Sequence, residues 1–90
     1  MNKLRRKRIS EIQSKIEELQ SEMELILEEI ESVKDEEQEY LDNMPENLQT
    51  SERYEKAENS VSCLESAYDS FDEIKDSLDE VLSNLEEASE

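Results

Sequence analysis

An unbroken heptad pattern of apolar residues is the feature that most limits what this chain can fold into. From Ile9 to Val33 the apolar residues follow one another at alternating intervals of three and four. This spacing places one apolar stripe along an α-helix and is typical of coiled coils. The segment contains neither glycine nor proline, so the sequence predicts a helix over residues 9–41, with Ile9 at heptad position a and Ile12 at position d.

A second segment repeats the pattern and predicts a helix over residues 51–88. Here Tyr54 occupies an a position and Ala57 a d position, and the stripe continues to Leu85. Each stripe has one polar interruption at an a position, Glu37 in the first helix and Lys75 in the second. Such polar residues fix the register of a coiled coil at some cost in stability.

The charges beside the two stripes predict that the helices run antiparallel. The e positions of the second segment are all acidic, and the g positions of the first include Glu22, Glu29 and Glu36. Parallel helices would place these acidic columns side by side, whereas antiparallel helices keep them apart. The predicted fold is therefore an all-α, antiparallel two-helix coiled-coil hairpin that forms a single domain.

The register follows from the position of the turn. Folding the chain about residue 46 opposes residues whose numbers add up to about 92. The expected neighbours are these: Lys34 with Glu58, Glu37 with Glu55 and Lys56, Lys75 with Glu17 and Glu18, and Arg5 with Glu87.

The turn is expected over residues 42–50, around the only proline. Asn43, Pro45 and Asn47 are turn-forming residues, and Pro45 also suits the start of one short helical turn. Thr50 or Ser51 is expected to cap the second helix. Met44 and Leu48 are expected to cover the end of the hairpin, and the alternative is that the turn is a binding surface.

The apolar stripes are wider than a two-helix seam requires. Leu27 and Leu41 widen the first helix, and Ala67, Ile74 and Val81 widen the second. A stripe of this width suits the core of a helical bundle. We expect a homodimer of hairpins that forms a four-helix bundle; a monomeric hairpin that awaits a helix of another protein is the alternative.

The residue inventory predicts a protein that is not an enzyme and uses neither metal nor cofactor. The chain has no histidine and no glycine, so it lacks an imidazole base and the glycine loops that hold phosphates or calcium. Its single cysteine, Cys63, falls at a c position without a neighbouring base and is expected to be an exposed thiol that takes no part in chemistry. The abundant carboxylate pairs are expected to be solvated surface.

The charge balance favours a basic protein as partner. The chain has 27 acidic and 10 basic residues, with a net charge of −17, which repels nucleic acid and anionic lipid. No apolar run is long enough to cross a membrane, and a cytoplasmic location is expected. The expected contacts are outward carboxylates and turn residues: Glu17, Glu18, Glu24, Glu28, Glu31, Asp69, Asp76, Glu80, Asn43, Pro45, Asn47 and Arg53.

A basic arm over residues 1–8 offers a different hypothesis. It holds five of the ten basic residues, which suits contact with nucleic-acid phosphates. The rest of the chain carries all 27 acids, so direct binding to nucleic acid is not expected. If the arm did bind DNA or RNA, deleting it would abolish that binding.

The stretch "DNMPENLQTSERYEKAE" and the helix "LESAYDSFDEIKDSLDEVLSNLEEA" resemble a group of small acidic proteins of bacterial chromosomes, phages and mobile elements. The resemblance spans nearly the whole chain, including the start "MNKLRRKRISEI". It implies a setting and no particular activity, since these proteins are largely uncharacterised. Mobile elements often encode acidic inhibitors of host defence nucleases, which by analogy favours nucleic-acid mimicry.

Together these observations predict a non-enzymatic acidic protein-binding module. Its most concrete form is an inhibitor of a nucleic-acid-binding defence protein, of the anti-CRISPR or anti-restriction type, that acts by nucleic-acid mimicry. The alternative is a structural or adaptor coiled coil that recruits a partner helix through its apolar seam. Charge-driven binding weakens steeply with salt, whereas seam-driven binding does not.

Overall fold

The computed structural model describes all residues from 1 to 90 and shows two long antiparallel helices. Helix α1 spans Lys3–Asp42, a single 3-10 turn spans Glu46–Leu48, and helix α2 spans Glu52–Ala88. The molecule is a rod of 70 × 15 × 13 Å. The all-helical hairpin predicted from the two heptad segments is confirmed, and the chain contains no strand.

Helix α1 begins six residues earlier than the sequence pattern predicts. The side-chain oxygen of Asn2 accepts a hydrogen bond of 2.8 Å from the backbone N–H of Arg5, which caps the helix at its first turn. Residues 3–8 are strong helix formers without an interruption, so the helix extends through them. The basic segment is therefore the first part of α1 and not an arm that precedes it.

The connection between the helices is built as its turn-forming residues predict. Pro45 has an extended backbone and precedes the 3-10 turn, and Asn43 closes α1 through a hydrogen bond from its N–H to the Glu39 carbonyl. Of the two expected caps of α2, Ser51 is the one used. Its hydroxyl oxygen accepts a hydrogen bond of 3.2 Å from the backbone N–H of Tyr54.

Removing this cap gives the first testable prediction. Ser51→Ala is expected to lower the free energy of unfolding by about 1 kcal/mol, because the N–H of Tyr54 loses its side-chain acceptor. Thermal or urea unfolding followed by circular dichroism measures the change. The matched control is Ser66→Ala in the exposed middle of α2, where the same substitution should be neutral or slightly stabilising. Equal effects at both serines would contradict the assignment of Ser51 as the cap.

The fully buried core is small and lies mainly beside the turn. Leu41, Ala57 and Val61 pack together there, with Tyr54 against them. Met44 is also buried, as predicted, but Leu48 is 42% exposed and does not cover the end of the hairpin. Further along the rod only Met23 and Leu27 are buried.

The register differs from the prediction by a few residues. The side-chain amide of Gln20 donates hydrogen bonds to the Asp79 carboxylate (2.8 Å) and to the Lys75 carbonyl (3.4 Å), and Lys75 pairs with Glu24 (3.4 Å). The numbers of facing residues thus add up to between 95 and 99 instead of 92. The shift arises because Met44 packs inward and Leu41 lies against Ala57 and Val61, so the chain reverses beyond residue 46.

The predicted charge pairs are wrong in consequence. Lys75 pairs with Glu24 and not with Glu17 or Glu18, while Arg5 forms no ion pair with Glu87. Lys34 contacts its neighbour Asp35 at 3.7 Å, and the acids of α2 that share its groove are Glu65 and Asp69 instead of Glu58.

The expected environment of Glu37 is only partly found. Glu37 shares a groove with Lys56, but the ion pair of Lys56 is formed with Glu52, at 3.9 Å.

The side of α1 that faces α2 also differs from the prediction. The a and e columns of α1 are buried or half-buried along the rod, including Leu27 and Leu41 at e positions. The d column, expected in the seam, lies outside it. This rotation brings Leu27 and Leu41 into contact with α2 and lets Gln20, also at an e position, reach Asp79. In α2 the a and d columns form the seam as predicted.

Candidate protein-interaction surfaces

One long side of the hairpin is apolar and exposed to solvent. The five d residues of α1 are between 42 and 51% exposed, although all are large and apolar. They recur every seventh residue: Ile12, Leu19, Ile26, Val33 and Tyr40. Side chains of this type are usually buried, so a stripe that runs the length of the helix indicates a contact surface.

Helix α2 contributes a second apolar column to the same side. Its g positions include Ala67, Ile74 and Val81, and the last two are 56 and 41% exposed. Tyr40 of the d column lines a groove with Ser60, which is another g residue of α2, so the two columns lie on one side of the rod. We call these two columns, residues 12, 19, 26, 33 and 40 with residues 67, 74 and 81, the apolar face.

The two columns of the apolar face interlock along the rod. In the observed register Ile74 lies at the level between Leu19 and Ile26, and Val81 lies at the level between Ile12 and Leu19. The apolar residues therefore alternate between the helices without a gap along this stretch. The result is a continuous band and not two separate stripes.

The acidic residues of α2 avoid this side completely. All twelve acids of α2 fall at heptad positions b, e and f, and none of its eleven g and c positions is acidic. At the acidic fraction of the whole chain, 27 of 90 residues, about three of those eleven would be acidic. The c column beside the apolar face is neutral or basic: Lys56, Cys63, Ser70, Ser77 and Asn84.

The opposite long side is strongly acidic. It contains two shallow grooves between the helices, one of which holds Glu31, Glu65 and Asp69 around Lys34 and Tyr68. The other groove has seven lining residues: Glu17, Gln20, Ser21, Glu24, Lys75, Asp76 and Asp79. We call the carboxylates of these two grooves the acidic face: Glu17, Glu24, Glu31, Glu65, Asp69, Asp76 and Asp79.

The eight carboxylates predicted as contacts are all exposed, but they do not form one cluster. Five belong to the acidic face: Glu17, Glu24, Glu31, Asp69 and Asp76. Glu18, Glu28 and Glu80 lie outside its grooves. Glu65 and Asp79, which are not among the predicted contacts, also line these grooves; their e positions on α2 indicate this place once the helices are known to be antiparallel.

The predicted turn contacts are separated from the acidic face as well. Asn43, Pro45 and Asn47 are exposed at the end of the rod. Arg53 lies with Tyr40 in a groove beside the apolar face. The structure thus divides the predicted contact residues among the acidic face, the turn and the border of the apolar face, and leaves Glu18, Glu28 and Glu80 exposed elsewhere on the helices.

The surroundings of Lys75 in the second groove shift the pKa of its ammonium group. Its partial withdrawal from water lowers the pKa, but the hydrogen bond with Glu24 and the charges of Glu24, Asp72 and Asp76 raise it by more. The pKa of Lys75 therefore lies above its usual value. The side chain stays charged and places one cation within the acidic face.

Three further features concern the cysteine, metal-binding side chains and membrane spans. Cys63 is exposed, as its c position predicts. No three side chains of the metal-binding type come together as a site. Neither helix has a stretch sufficiently long and apolar to span a membrane.

Comparison with known proteins adds no family to this description. No protein-family model, curated protein or solved structure matches the chain. The division into an acidic and an apolar side is thus the main guide to function.

Proposed function

We propose that this protein is a non-enzymatic protein-binding module whose acidic face engages the basic surface of another protein. The observation that carries the proposal is the sorting of charge in α2, where every acid lies away from the apolar face. Acids of α2 that served solubility alone would have no reason to leave the g and c columns of that helix free of acid. We further propose that the apolar face is covered in a dimer of hairpins, a four-helix bundle with both acidic faces outward.

The charge density supports a nucleic-acid mimic as the finer form of this function. A net charge of −17 along a rod of 70 Å is one negative charge per ~4 Å. Two hairpins side by side double this to one per ~2 Å, close to the one per ~1.7 Å of duplex DNA. A dimer would therefore suit the basic groove of a nucleic-acid-binding protein, as the resemblance to proteins of phages and mobile elements also leads us to propose.

The alternative function, an adaptor that recruits a helix of another protein, draws on the same exposed apolar face. Five large apolar side chains along α1 are enough to hold a foreign helix. The two functions differ in how binding responds to salt. An acidic-face contact weakens as salt rises, whereas an apolar contact persists.

The acidic-face proposal is tested by neutralising the face. Four carboxylates, those of Glu17, Glu24, Glu31 and Asp76, are replaced by their amides. Tagged protein is used to capture basic proteins from a nuclease-treated bacterial lysate, and duplex DNA is added to displace them. We expect capture by the wild type, displacement by DNA, and at least about a tenfold loss of capture for the variant, since steering and contact both depend on these charges.

A matched control removes the same charge from elsewhere. Glu18, Glu28, Glu80 and Glu87 are replaced by glutamine, which leaves the carboxylates of the acidic grooves in place. This control should capture as the wild type does, and circular dichroism should show both variants fully helical. Equal capture by the two variants, or capture that duplex DNA does not displace, would overturn the proposal.

A further inference from the structure

We propose that the apolar face is covered by a second copy of this chain in one specific geometry. The two hairpins are related by a twofold axis perpendicular to the rod, so that α1 packs antiparallel on α1 of the second copy and α2 on its α2. The axis passes between the levels of Leu19 and Ile26. The inference rests on the dimeric part of the proposed function and adds its geometry.

The first observation is the charge order in the g column of α1, which borders the apolar face. The column is basic in its first half and acidic in its second: Arg8, Lys15, Glu22, Glu29 and Glu36. An antiparallel copy centred near Glu22 brings Arg8 against Glu36 of the second copy, and Lys15 against its Glu29. Parallel helices would instead place like charges together along the whole column.

The second observation comes from α2 and is independent of these charges. Its exposed apolar g residues, Ala67, Ile74 and Val81, are centred on Ile74. In the observed register, residue 74 lies at the level of residues 21–25 of α1. The centre of the α2 column and the centre of the α1 charge column therefore coincide, as a single twofold axis requires.

The apolar residues of α1 also match about this axis. Leu19 opposes Ile26 of the second copy, and Ile12 opposes its Val33, so apolar side chains meet in four layers. Tyr40 comes to the level of Arg5, a residue without an ion pair in its own chain. A guanidinium on a tyrosine ring is a favourable contact.

The other way to pair two hairpins lacks this complementarity. A twofold axis along the rod would pack α1 on α2 of the second copy. The g column of α1 would then border the c column of α2, which around residues 70 to 84 holds only serine and asparagine beside the seam. Arg8 and Lys15 would gain no acid there, so the charges favour the perpendicular axis.

A charge-swap experiment on the full chain tests the geometry. One variant carries Arg8→Glu and Lys15→Glu, and the other carries Glu29→Lys and Glu36→Lys. In a dimer of either variant alone, like charges face each other at both ends of the interface. The dissociation constant of that dimer should therefore rise about tenfold or more. An equimolar mixture opposes unlike charges at all four places and should form heterodimers with nearly wild-type affinity. Sedimentation equilibrium at low salt measures all three.

A cross-link gives a second and independent readout. Glu22→Cys, made together with Cys63→Ser, places a thiol beside the axis and should form an intermolecular disulfide under mild oxidation. In the wild type each Cys63 lies about twelve residues from the axis, so the two thiols are separated by roughly 36 Å and should not join. With the axis along the rod, the two α1 helices lie diagonally across the bundle. The two thiols introduced by Glu22→Cys would then be too far apart to form a disulfide.

The outcomes separate this inference from the function on which it rests. A wild type that stays monomeric at all concentrations overturns both the dimer and its geometry, while capture of basic proteins by the acidic face is judged separately. A dimer whose charge variants show neither weakening nor recovery on mixing, and no cross-link at residue 22, overturns the geometry alone. Weakening, recovery on mixing and the cross-link together support it.

Discussion

Replacing Leu19 and Ile26 by glutamate is expected to convert the protein from a dimer to a monomer without loss of helix. Both side chains are nearly half exposed in the single hairpin. Their remaining apolar surface is removed from water only when a second hairpin covers it. The double variant removes four apolar side chains from a dimer and adds four negative charges to the interface. We expect the dissociation constant to rise by at least about a hundredfold, since burial of such side chains contributes roughly 1 kcal/mol each at this exposure.

Light scattering after size exclusion measures the molar mass, and circular dichroism measures the helix content. The control adds two glutamates away from the apolar face, with Ser14→Glu and Leu25→Glu, and should remain dimeric. Leu25 is the better comparison of the two, because it is a leucine on the same helix that is 61% exposed at a c position. A double variant that remains as dimeric as the wild type would show that the apolar face is not the interface.

Replacing Leu41 by alanine is expected to destabilise the fold strongly, because its side chain is buried between the two helices. Leu41 packs with Ala57 and Val61 in the only buried apolar cluster that joins the two helices beside the turn. The substitution leaves a cavity between the helices, and it should lower the free energy of unfolding by about 2 to 3 kcal/mol. For a chain of this size, the midpoint of thermal unfolding should fall by roughly 10 °C or more.

The same change at Leu25 provides the control. Its side chain faces water, and alanine is at least as good a helix former, so Leu25→Ala should change stability by less than about 0.5 kcal/mol. Both variants should be compared at one protein concentration, because association stabilises the folded state. Equal effects at the two positions would mean that the cluster beside the turn is not the core of the hairpin.

The heptad pattern predicted the fold well because both helices must bury one apolar side, and the pattern shows that side directly. A period of three and four places apolar residues on one side of each helix, and the pattern breaks off around Pro45. The two helices followed from this pattern, and their antiparallel order followed from the charges beside the stripes. The pattern did not reveal which part of the wide stripe on α1 meets α2. Over residues 9–41, column d is wholly apolar, column a is apolar except for Glu37, and column e is mostly polar. The choice of a and e depends on the contacts of Leu27, Leu41 and Gln20.

The register of the two helices could not be predicted from the sequence for a related reason. Folding the chain about residue 46 assumes a symmetric turn, whereas the packing of Met44 and Leu41 decides where the chain reverses. An error of a few residues leaves both helices in place but changes most of the predicted partners of charged side chains. The predicted carboxylates are exposed as expected, but only the register shows that five of the eight belong to the acidic face. The resemblance to acidic proteins of mobile elements, and the function it implies, stay predictions.

The position of the buried cluster has a consequence for how the hairpin assembles and comes apart. Leu41 and Ala57 are separated by few residues along the chain, whereas Gln20 and Asp79 are 59 residues apart. Closing a short loop costs less entropy than closing a long one, so the helices should join first beside the turn and then zip toward the termini. The ends of the helices far from the turn hold no fully buried residue and will separate first on unfolding. The hairpin therefore opens from its free ends while the contacts beside the turn persist.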